Sequence, residues 1–412
     1  MELKKYKLGD VADIVNGATP STHNSENYDG SIIWITPKDL SGQKQKIIRR
    51  GQRNISEIGF NNCSAQMIPP YNILMSSRAP IGLLAINENE CCTNQGFKNL
   101  VLDKSICDTD YMYYYLQFHM KEIEALGSGT TFKEISKSAL QGIEIRLPDL
   151  EKQRDIAKCL SDLDRKIELN KQINDNLEAM AKQLYDYWFV QFDFPNDEGK
   201  PYKSSGGAMV WNEKLKREIP QGWHCGTLLD IAEYTNGLAC QKYRPTDNKK
   251  LPVIKIKEMH DGLSGDTEWV KADIPNDVKV FDGNVLFSWS ASLEVMLWAY
   301  GNGGLNQHIF KVTPKNGYPR SFYFYQLIHY VGVFKQMAEA RKTTMGHITQ
   351  DHLRQSTIAL PPNVDIANKL EEKLCPIFDE IVKNNQEIMA LTKQRDELLP
   401  LLMNGQATVN SD

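Results

Sequence analysis

The chain of 412 residues is long enough for two domains of ordinary size and the elements that connect them. Its composition, 41% hydrophobic and 24% charged, is typical of a globular protein, and no run of about 20 apolar residues predicts a membrane span. The net charge of −4 excludes a uniformly basic nucleic-acid binder, although local basic clusters can still contact phosphates. If the chain binds DNA, we expect weak affinity from the chain alone, with partners supplying much of the phosphate binding.

The eight cysteines are scattered without a CxxC pair, which argues against a zinc site and against a disulfide framework. The first residues carry lysines without an apolar run behind them, so they do not resemble a secretory signal. We therefore expect reduced thiols, a cytoplasmic location, no bound metal and no membrane partner.

The first predicted domain, which we call module one, covers residues 1–148. Short apolar runs separated by Gly, Pro and Asn predict strands at Ile32–Ile35, Asn72–Met75, Gly82–Ile86 and Phe97–Leu102. Asp108–Met120 follows as a helix with an aspartate at its N-cap. Strands mixed with helices predict an α/β (α+β) class for this module.

Residues 149–190 are predicted to form one long helix. Its inward positions alternate at spacings of four and three, which is typical of a coiled-coil seam, at Ile156, Leu160, Leu163, Ile167, Asn170, Asn174, Leu177, Ala181, Leu184 and Trp188. A helix of about 38 residues would be about 57 Å long. Residues 191–222 follow as an irregular linker whose aromatic side chains we expect to pack against a folded neighbour.

Module two covers residues 223–361 and repeats the order of module one. Its predicted strands are Val253–Ile256, Asn284–Phe287 and Ile309–Val312, and Ser321–Ala338 is its aromatic-rich helix. Residues 362–404 form a second coiled-coil helix, and residues 405–412 form a tail. The seam positions of this second helix are Leu370, Leu374, Ile377, Ile381, Asn384, Ile388, Leu391, Arg395, Leu398 and Leu402.

The two modules share short motifs in the same order. Leu8, Asp10, Ala12, Asn16 and Gly17 return as Leu228, Asp230, Ala232, Asn236 and Gly237; Asn94-Gln95 returns as Asn306-Gln307, and Thr130-Thr131 as Thr343-Thr344. Two related modules, each followed by a long helix, predict a pseudo-twofold arrangement in which the helices pair antiparallel. Such a molecule suits a partner with two separated half-sites, and duplex DNA is the obvious candidate.

Asn170 and Asn384 occupy matching positions in the two predicted seams. A buried asparagine costs stability but fixes the register of a coiled coil, because misaligned helices would leave its amide unpaired. Two interpretations stay open: the two asparagines fix the register, or they are merely solvated.

No catalytic or metal-binding constellation emerges from the sequence. An adenine methyltransferase needs an Asn or Asp before a Pro-Pro-aromatic turn, but Ile68 stands at that position before Pro69-Pro70-Tyr71. No phosphate-binding loop with Walker spacing is present, and the eight histidines show no paired metal-binding spacing. We therefore interpret the chain as a binding protein without catalytic residues of its own.

The two-module, two-helix plan resembles the specificity (S) subunit of type I DNA restriction–modification enzymes. The stretches that carry the resemblance are Leu8–Val11 with Asn16–Ser21, Trp34–Thr36 with Asp39-Leu40, Gly127–Ile135 with Leu147-Pro148, and the helix segments Glu151–Ala157 and Leu163–Glu168. Module two departs from the pattern after Gly237, where Leu238-Ala239-Cys240 replaces Thr-Pro-Ser, and its helix contains Pro376. Each motif alone is weak evidence for the resemblance, but the duplicated order of the motifs is strong evidence. The resemblance covers nearly the whole chain.

The resemblance implies that each module is a target-recognition domain for one half of a split, asymmetric DNA sequence. The helices would set the distance between the halves and dock two modification (M) subunits, with or without restriction (R) subunits. S-adenosylmethionine, and ATP with Mg²⁺ for restriction, would then be bound by those partners and not by this chain.

Candidate DNA-binding residues follow from the chemistry of base edges and phosphates. They are Lys38, Ser77, Arg78, Thr130, Thr131 and Lys133 in module one, and Lys242, Arg244, Trp289, Arg341, Lys342, Thr343 and Thr344 in module two. Modules that recognise different sequences should differ at base contacts and agree at structural positions. We therefore assign the repeated threonines to phosphate or scaffold contacts and the repeated Asn-Gln pairs to a structural role. Arg78, whose counterpart in module two is Ser290, is assigned to base recognition.

Two alternatives remain at this stage. The chain could be a coiled-coil scaffold or interaction protein without DNA specificity, or the recognition module of another methyltransferase system. DNA binding separates the first alternative from the S-subunit interpretation, and Ile68 makes a fused methyltransferase improbable.

Overall fold

The computed structural model describes residues 2–409, apart from 44, 79, 128–132, 291 and 341–347, and without the side chains of 337–340. The chain divides into two compact units, which we describe separately. Unit 1 contains residues 1–168 and 391–412, and unit 2 contains residues 169–390. Each of the two long helices contributes one part to each unit. The predicted strands and helices of both modules are present, so the mixed α/β class is confirmed.

The described part of unit 1 contains ten strands: β1 (Lys4–Lys7), β2 (Ala12–Asn16), β3 (Tyr28–Ile32), β4 (Trp34–Ile35), β5 (Ile47–Ile48), β6 (Ile73–Met75), β7 (Leu84–Asn87), β8 (Cys92–Thr93), β9 (Lys98–Leu102) and β10 (Glu144–Leu147). The helices that begin in it are α1 (Leu8–Val11), α2 (Pro37–Ser41), α3 (Glu57–Asn61), α4 (Thr109–Phe118), α5 (Met120–Ala125), α6 (Lys137–Gln141) and α7 (Leu150–Tyr185). Its main sheet has the order β2-β9-β6-β7-β5, in which only the β7–β5 pair is parallel. Two smaller sheets pair β1 with β10 and β4 with β8.

Unit 2 contains the strands β11 (Met209–Asn212), β12 (Arg217–Pro220), β13 (His224–Gly226), β14 (Ala232–Asn236), β15 (Lys250–Ile254), β16 (Trp269–Lys271), β17 (Lys279–Val280), β18 (Val285–Ser288), β19 (Glu294–Leu297), β20 (Gly303–Leu305), β21 (Ile309–Pro314) and β22 (Ile358–Leu360). Its helices are α8 (Leu228–Ile231), α9 (Ile256–Asp261), α10 (Arg320–Ala340), α11 (Gln350–Gln355) and α12 (Asp365–Met403). α12 is continuous through Pro376, and a π-helical turn, Asp186–Val190, extends α7.

The two units repeat one topology, as the sequence repeat predicts. The antiparallel order β14-β21-β18-β19 in unit 2 corresponds to β2-β9-β6-β7 in unit 1. The parallel pair β15–β20 corresponds to β4–β8, and the antiparallel pair β13–β22 to β1–β10. One difference stands out: unit 1 adds β5 to the edge of its main sheet, whereas the described part of unit 2 leaves the corresponding edge at β19.

The repeated residues hold equivalent local structure in both units. Asp10 accepts a hydrogen bond from the backbone N–H of Lys7 at 2.9 Å, and Asp230 accepts one from Thr227 at 2.7 Å, so each caps a short helix. A Cβ at Gly17 would lie 1.8 Å from the carbonyl oxygen of Asn94. Gly237 is equally constrained, because its Cβ would lie 2.2 Å from the carbonyl oxygen of Asn306. The motifs repeat because the same close backbone approach occurs twice.

α7 and α12 run antiparallel, as predicted. In unit 1, Arg395 donates to Asp164 at 2.9 Å, and Ile156 shares a core with Leu402 near the other end of this segment. In unit 2, Nδ2 of Asn384 donates to Oδ1 of Asn174 at 2.9 Å. Asn384 is therefore a buried seam residue whose partner across the seam is Asn174, whereas Asn170, the other predicted register residue, is only partly buried.

The predicted linker is more regular than expected. It contains the β11–β12 hairpin, and the ring of Phe194 stacks on Trp223 at 5.4 Å within the core of unit 2. The aromatic side chains therefore anchor this crossover segment to unit 2. Among the helices that the structure describes, none combines the length and the apolar character that crossing a membrane requires.

Candidate DNA interface

The two units build the same backbone framework around the predicted base-reading positions. In unit 1, the N–H of Ser77 donates to Gly96 at 2.7 Å, and the carbonyl of Ser77 accepts from Ile135 at 3.0 Å. In unit 2, Trp289 makes the corresponding bonds with His308 at 3.3 Å and Ile348 at 3.0 Å. Ser77 and Trp289 are therefore structurally equivalent.

In unit 1 this framework carries a charged cluster. Nε of Arg78 donates to Glu134 at 3.0 Å, and Nζ of Lys98 donates to the other carboxylate oxygen at 3.2 Å. Burial would raise the pKa of Glu134, but the hydrogen bonds and charges of Lys98 and Arg78 outweigh burial and lower the pKa below its usual value. The side chain of Arg78 is 46% exposed, so a charged carboxylate holds a partly exposed guanidinium in a defined position.

In unit 2 the equivalent cluster is aromatic. The ring of Trp289 lies 5.5 Å from His308 and 6.0 Å from Phe310, centroid to centroid. Phe310 takes the place of Lys98, and Ser290, which takes the place of Arg78, is buried. The two units thus differ in side-chain chemistry at positions where their backbones agree.

The residues that repeat between the modules support this framework. Oδ1 of Asn94 accepts from the N–H of Gly96 at 2.9 Å, and Oδ1 of Asn306 accepts from His308 at 3.3 Å. Ser76 accepts a hydrogen bond from the backbone N–H of Leu83 at 2.8 Å in the same framework. These contacts agree with the structural role that repetition predicts.

A second polar surface in unit 1 is a cleft of about 650 Å³ beside α2. Lys38 and Arg50 line it, and neither forms an ion pair with a residue that the structure describes. Arg53 also lines the cleft, but its guanidinium donates to Asp29 at 2.9 Å and lies over the ring of Tyr28. Lys38 and Arg50 are therefore the cations of the cleft whose charge is available to a phosphate.

Unit 2 presents a basic and aromatic surface at β15 and β16. Lys242 and Arg244 are exposed there, in and directly after the 3₁₀ turn Cys240–Tyr243. Nζ of Lys250 lies 4.3 Å from the ring centre of Trp269, and Nζ of Lys271 lies 5.4 Å from that of Tyr243. The sequence analysis did not predict Trp269 or Lys271, although an exposed Trp on a strand among lysines is a signal for nucleic-acid contact.

The other predicted site residues differ in their exposure to solvent, and some lie outside the described residues. Lys133 is exposed. Ser77 is fully buried, so its hydroxyl does not reach the surface in this structure. Six predicted residues lie outside the described part of the chain: Thr130, Thr131, Arg341, Lys342, Thr343 and Thr344. Among the described residues, no three His, Cys, Asp or Glu side chains cluster in a way that could hold a metal ion.

A family model described as the type I restriction modification DNA specificity domain matches residues 1–179 and 220–393. The chain belongs to this family. The gap between the two matches falls on the end of α7 and the crossover segment, so each match covers one module and part of a long helix.

Individual relatives agree with the family model over the full length of the chain. The chain is 32% identical to the type I restriction enzyme MjaIX specificity subunit of Methanocaldococcus jannaschii, over 98% of this chain and 93% of that protein. It is 24% identical to the HindI specificity subunit of Haemophilus influenzae, over 98% and 99% of the two chains. The crystal structure of the type I restriction–modification S subunit from M. genitalium has the same fold, with a TM-score of 0.62 at 16% identity, covering 100% of this chain and 97% of that one.

As a type I restriction–modification specificity subunit, the chain recognises DNA sequence, and the alternative of a scaffold without DNA specificity is not favoured. The Arg78–Lys98–Glu134 cluster and the Trp289–His308–Phe310 cluster are then the places where two specificity domains of one subunit differ.

Proposed function

We propose that the chain recognises a bipartite, asymmetric sequence in duplex DNA, with unit 1 contacting one half-site and unit 2 the other, and that it has no catalytic activity of its own. The observation that carries the proposal is the contrast described above: one backbone framework, repeated, with a charged cluster in unit 1 and an aromatic cluster in unit 2. Identical clusters would favour a symmetric target, whereas different ones favour an asymmetric target.

Arg78 is the proposed base-reading residue of unit 1. Glu134 accepts a hydrogen bond from Nε of Arg78. The two terminal nitrogens of Arg78 make no hydrogen bond to the described residues, so both can face a base edge. A guanidinium in this arrangement can donate two parallel hydrogen bonds to O6 and N7 of guanine in the major groove. In unit 2 the half-buried indole of Trp289 would instead offer an apolar face, which suits a thymine methyl group.

Phosphate contacts would position each unit without selecting bases. We assign Lys38, Arg50 and Lys133 to this role in unit 1, and Lys242 and Arg244 in unit 2, because all five cations are exposed or line an open cleft. Thr130-Thr131, Thr343-Thr344 and Arg341-Lys342 remain predicted contacts of the same kind. Such contacts predict binding that weakens steeply as the salt concentration rises.

The paired helices would fix the distance between the half-sites and dock two modification subunits. In this proposal those partners bind S-adenosylmethionine and methylate adenine, and any restriction subunits add ATP- and Mg²⁺-dependent cleavage. None of these cofactors is assigned to this chain. A protein that acts on host DNA with these partners is expected in the cytoplasm.

Methylome sequencing tests this function directly. A host that expresses the modification subunit with and without this chain should gain methylated adenines in a single bipartite motif only when the chain is present. Co-purification of the two proteins is the control for assembly. An assembled complex that leaves the methylome unchanged would contradict the proposed function and favour the scaffold alternative.

A further inference from the structure

The outer edge of the main sheet is closed in unit 1 but open in unit 2. In unit 1, β5 pairs with β7 in parallel, and the N–H groups of Ile86 and Glu88 donate to Lys46 at 2.8 Å and Ile48 at 2.9 Å. The corresponding strand in unit 2, β19, is the last in its sheet within the described part of the chain. Residues 262–268, which connect α9 to β16, form no strand at this edge. β16 itself pairs with β15 and is the counterpart of the residues around Ile55, which bridge Ile32 in unit 1. β19 therefore keeps an exposed row of hydrogen-bonding groups, which is a template for another strand.

A groove of about 470 Å³ runs along this open edge between β19, α7, α10 and α12. The corresponding place in unit 1 is filled by Lys46. Its Nζ lies 4.9 Å from the ring centre of Tyr114, 5.8 Å from that of Tyr113 and 2.6 Å from a carboxylate oxygen of Asp110. Phe324 and Tyr325, the counterparts of Tyr113 and Tyr114 on α10, line the groove of unit 2. The groove thus lies where unit 1 places Lys46, but Ser321 stands in the position of Asp110, and the rings of Tyr185 and Phe378 lie against Tyr325.

The charge and apolarity of the groove define what fits it. Its acidic side chains are Asp175, Glu178 and Glu294, against one cation, Lys182. Its floor is apolar and includes Met296, Phe324, Ile328 and Phe378. Glu294 contacts His260 at 3.0 Å, whereas Asp175 and Glu178 form no ion pair with a described residue. These two carboxylates, beside the partly exposed Met296 and Ile328, favour a basic side chain flanked by apolar ones. Lys46-Ile47-Ile48 of unit 1 has this composition.

We propose that β19 is a docking site for an extended segment of a partner protein, which adds to the sheet as a parallel strand and places a lysine or arginine beside Glu178. The backbone geometry supports it. The N–H of Trp298 donates inward to Asn284 at 2.8 Å, so the alternation of an antiparallel pair turns the N–H groups of Val295 and Leu297 outward. The occupant is not a second copy of this chain, because Lys46, Ile47 and Ile48 are already engaged in unit 1.

The test uses the full chain and a fluorescent synthetic peptide with the sequence of residues 43–50, measured by fluorescence anisotropy. Val295→Pro removes an outward N–H without breaking a bond to β18, and proline is tolerated on an edge strand. We expect it to weaken peptide binding about tenfold, the effect of one lost hydrogen bond and a blocked edge. The matched variant Val295→Ala keeps the N–H and should bind within about twofold of the parent chain.

The charge of the groove is tested with a second pair. Glu178→Gln should weaken binding of the lysine peptide but leave a peptide with Lys46→Met unaffected. The proposal is overturned if no saturable binding is seen up to about 1 mM peptide, or if Val295→Pro and Val295→Ala bind alike. It is also overturned if the chain alone forms a dimer in sedimentation experiments that Val295→Pro abolishes, because the occupant would then be a second copy.

Discussion

Asn384 and Asn174 join α12 to α7 through their side-chain amides, with Nδ2 of Asn384 donating to Oδ1 of Asn174 at 2.9 Å inside a buried seam. Nδ2 of Asn174 in turn donates to Oδ1 of Asn385 at 3.0 Å. Both seam asparagines thus have partners only when the two helices are aligned in this register. A shift by one turn would leave buried amide groups unpaired, so the pair selects one alignment of the helices.

Removing one member of this pair should cost more than removing both. Asn384→Leu leaves Oδ1 of Asn174 buried without its donor, and we expect a loss of about 1–3 kcal/mol in the free energy of unfolding. The double variant Asn174→Leu/Asn384→Leu should recover most of this loss, because two apolar residues then face each other. Chemical denaturation of the three proteins measures the difference. A double variant that is less stable than Asn384→Leu would contradict the assigned role.

Substitution of two equivalent glycines should destabilise both units in the same way. Gly17→Ala and Gly237→Ala each drive a Cβ into a backbone carbonyl, and we expect each to destabilise its unit by at least about 2–3 kcal/mol, since backbone cannot move aside as a side chain can. The control is Gly265→Ala, whose Cβ would have no atom within 4 Å. Thermal unfolding of the three variants checks the prediction. Equal melting temperatures for all three would show that the close approaches are relieved at no cost.

Arg78→Ala should relax base recognition in one half-site only. We expect a loss of about 1–3 kcal/mol of discrimination at one position, with the other half-site unchanged. The control, Arg50→Ala, removes a proposed phosphate contact and should weaken binding of all sequences alike while reducing its salt dependence. Selection from a randomised duplex library, with the modification subunit present, measures both. If Arg78→Ala weakened all sequences equally, Arg78 would be a phosphate contact.

Buried thiols predict how the chain responds to alkaline pH. Burial raises the pKa of Cys91, Cys92 and Cys107 to about 12 and that of Cys240 to about 11, from a usual value of 9.0. Because the folded-state pKa is raised, the stability that these thiols contribute is complete below pH 9 and is lost as the pH rises toward 11–12. Denaturation midpoints measured between pH 8 and pH 11 should fall above about pH 9.

A thiol-reactive dye at pH 8 gives an independent check on the same four cysteines. The native chain should react at no more than its four partly exposed cysteines, Cys63, Cys159, Cys225 and Cys375, and the denatured chain at all eight. Cys225→Ser should lower the number of cysteines that the dye labels in the native chain and leave the labelling of the four buried cysteines unchanged. Rapid labelling of Cys91 in the native chain would contradict the burial.

Much of the fold follows from local sequence signals, because repeated motifs mark equivalent elements. Asp10 with Asp230, and Gly17 with Gly237, predict the repeat, and periodicity predicts both long helices. The partner of Asn384 across the seam could not be predicted, for a geometric reason. The repeat relates Asn170 to Asn384 as equivalent positions, whereas two antiparallel helices bring together residues at matching distances from their crossing point.

The site was less predictable than the fold, because side-chain exposure depends on contacts distant in sequence. Ser77 and Arg78 are neighbours, yet Ser77 is buried and Arg78 is held at the surface by Glu134, 56 residues further on. The open edge at β19 could not be predicted from the sequence either. It arises because residues 262–268, between α9 and β16, form no strand beside β19, a difference that no local motif signals.

The central proposal is that the paired helices hold two recognition units at a fixed spacing. Its most direct test deletes one heptad from α7 and the facing heptad from α12, chosen so that the Asn174–Asn384 pair is kept, and determines the methylated motif by methylome sequencing with the modification subunit. We predict a changed gap between two unchanged half-sites. A motif whose half-sites also change, or whose gap stays the same in an assembled complex, would contradict the claim.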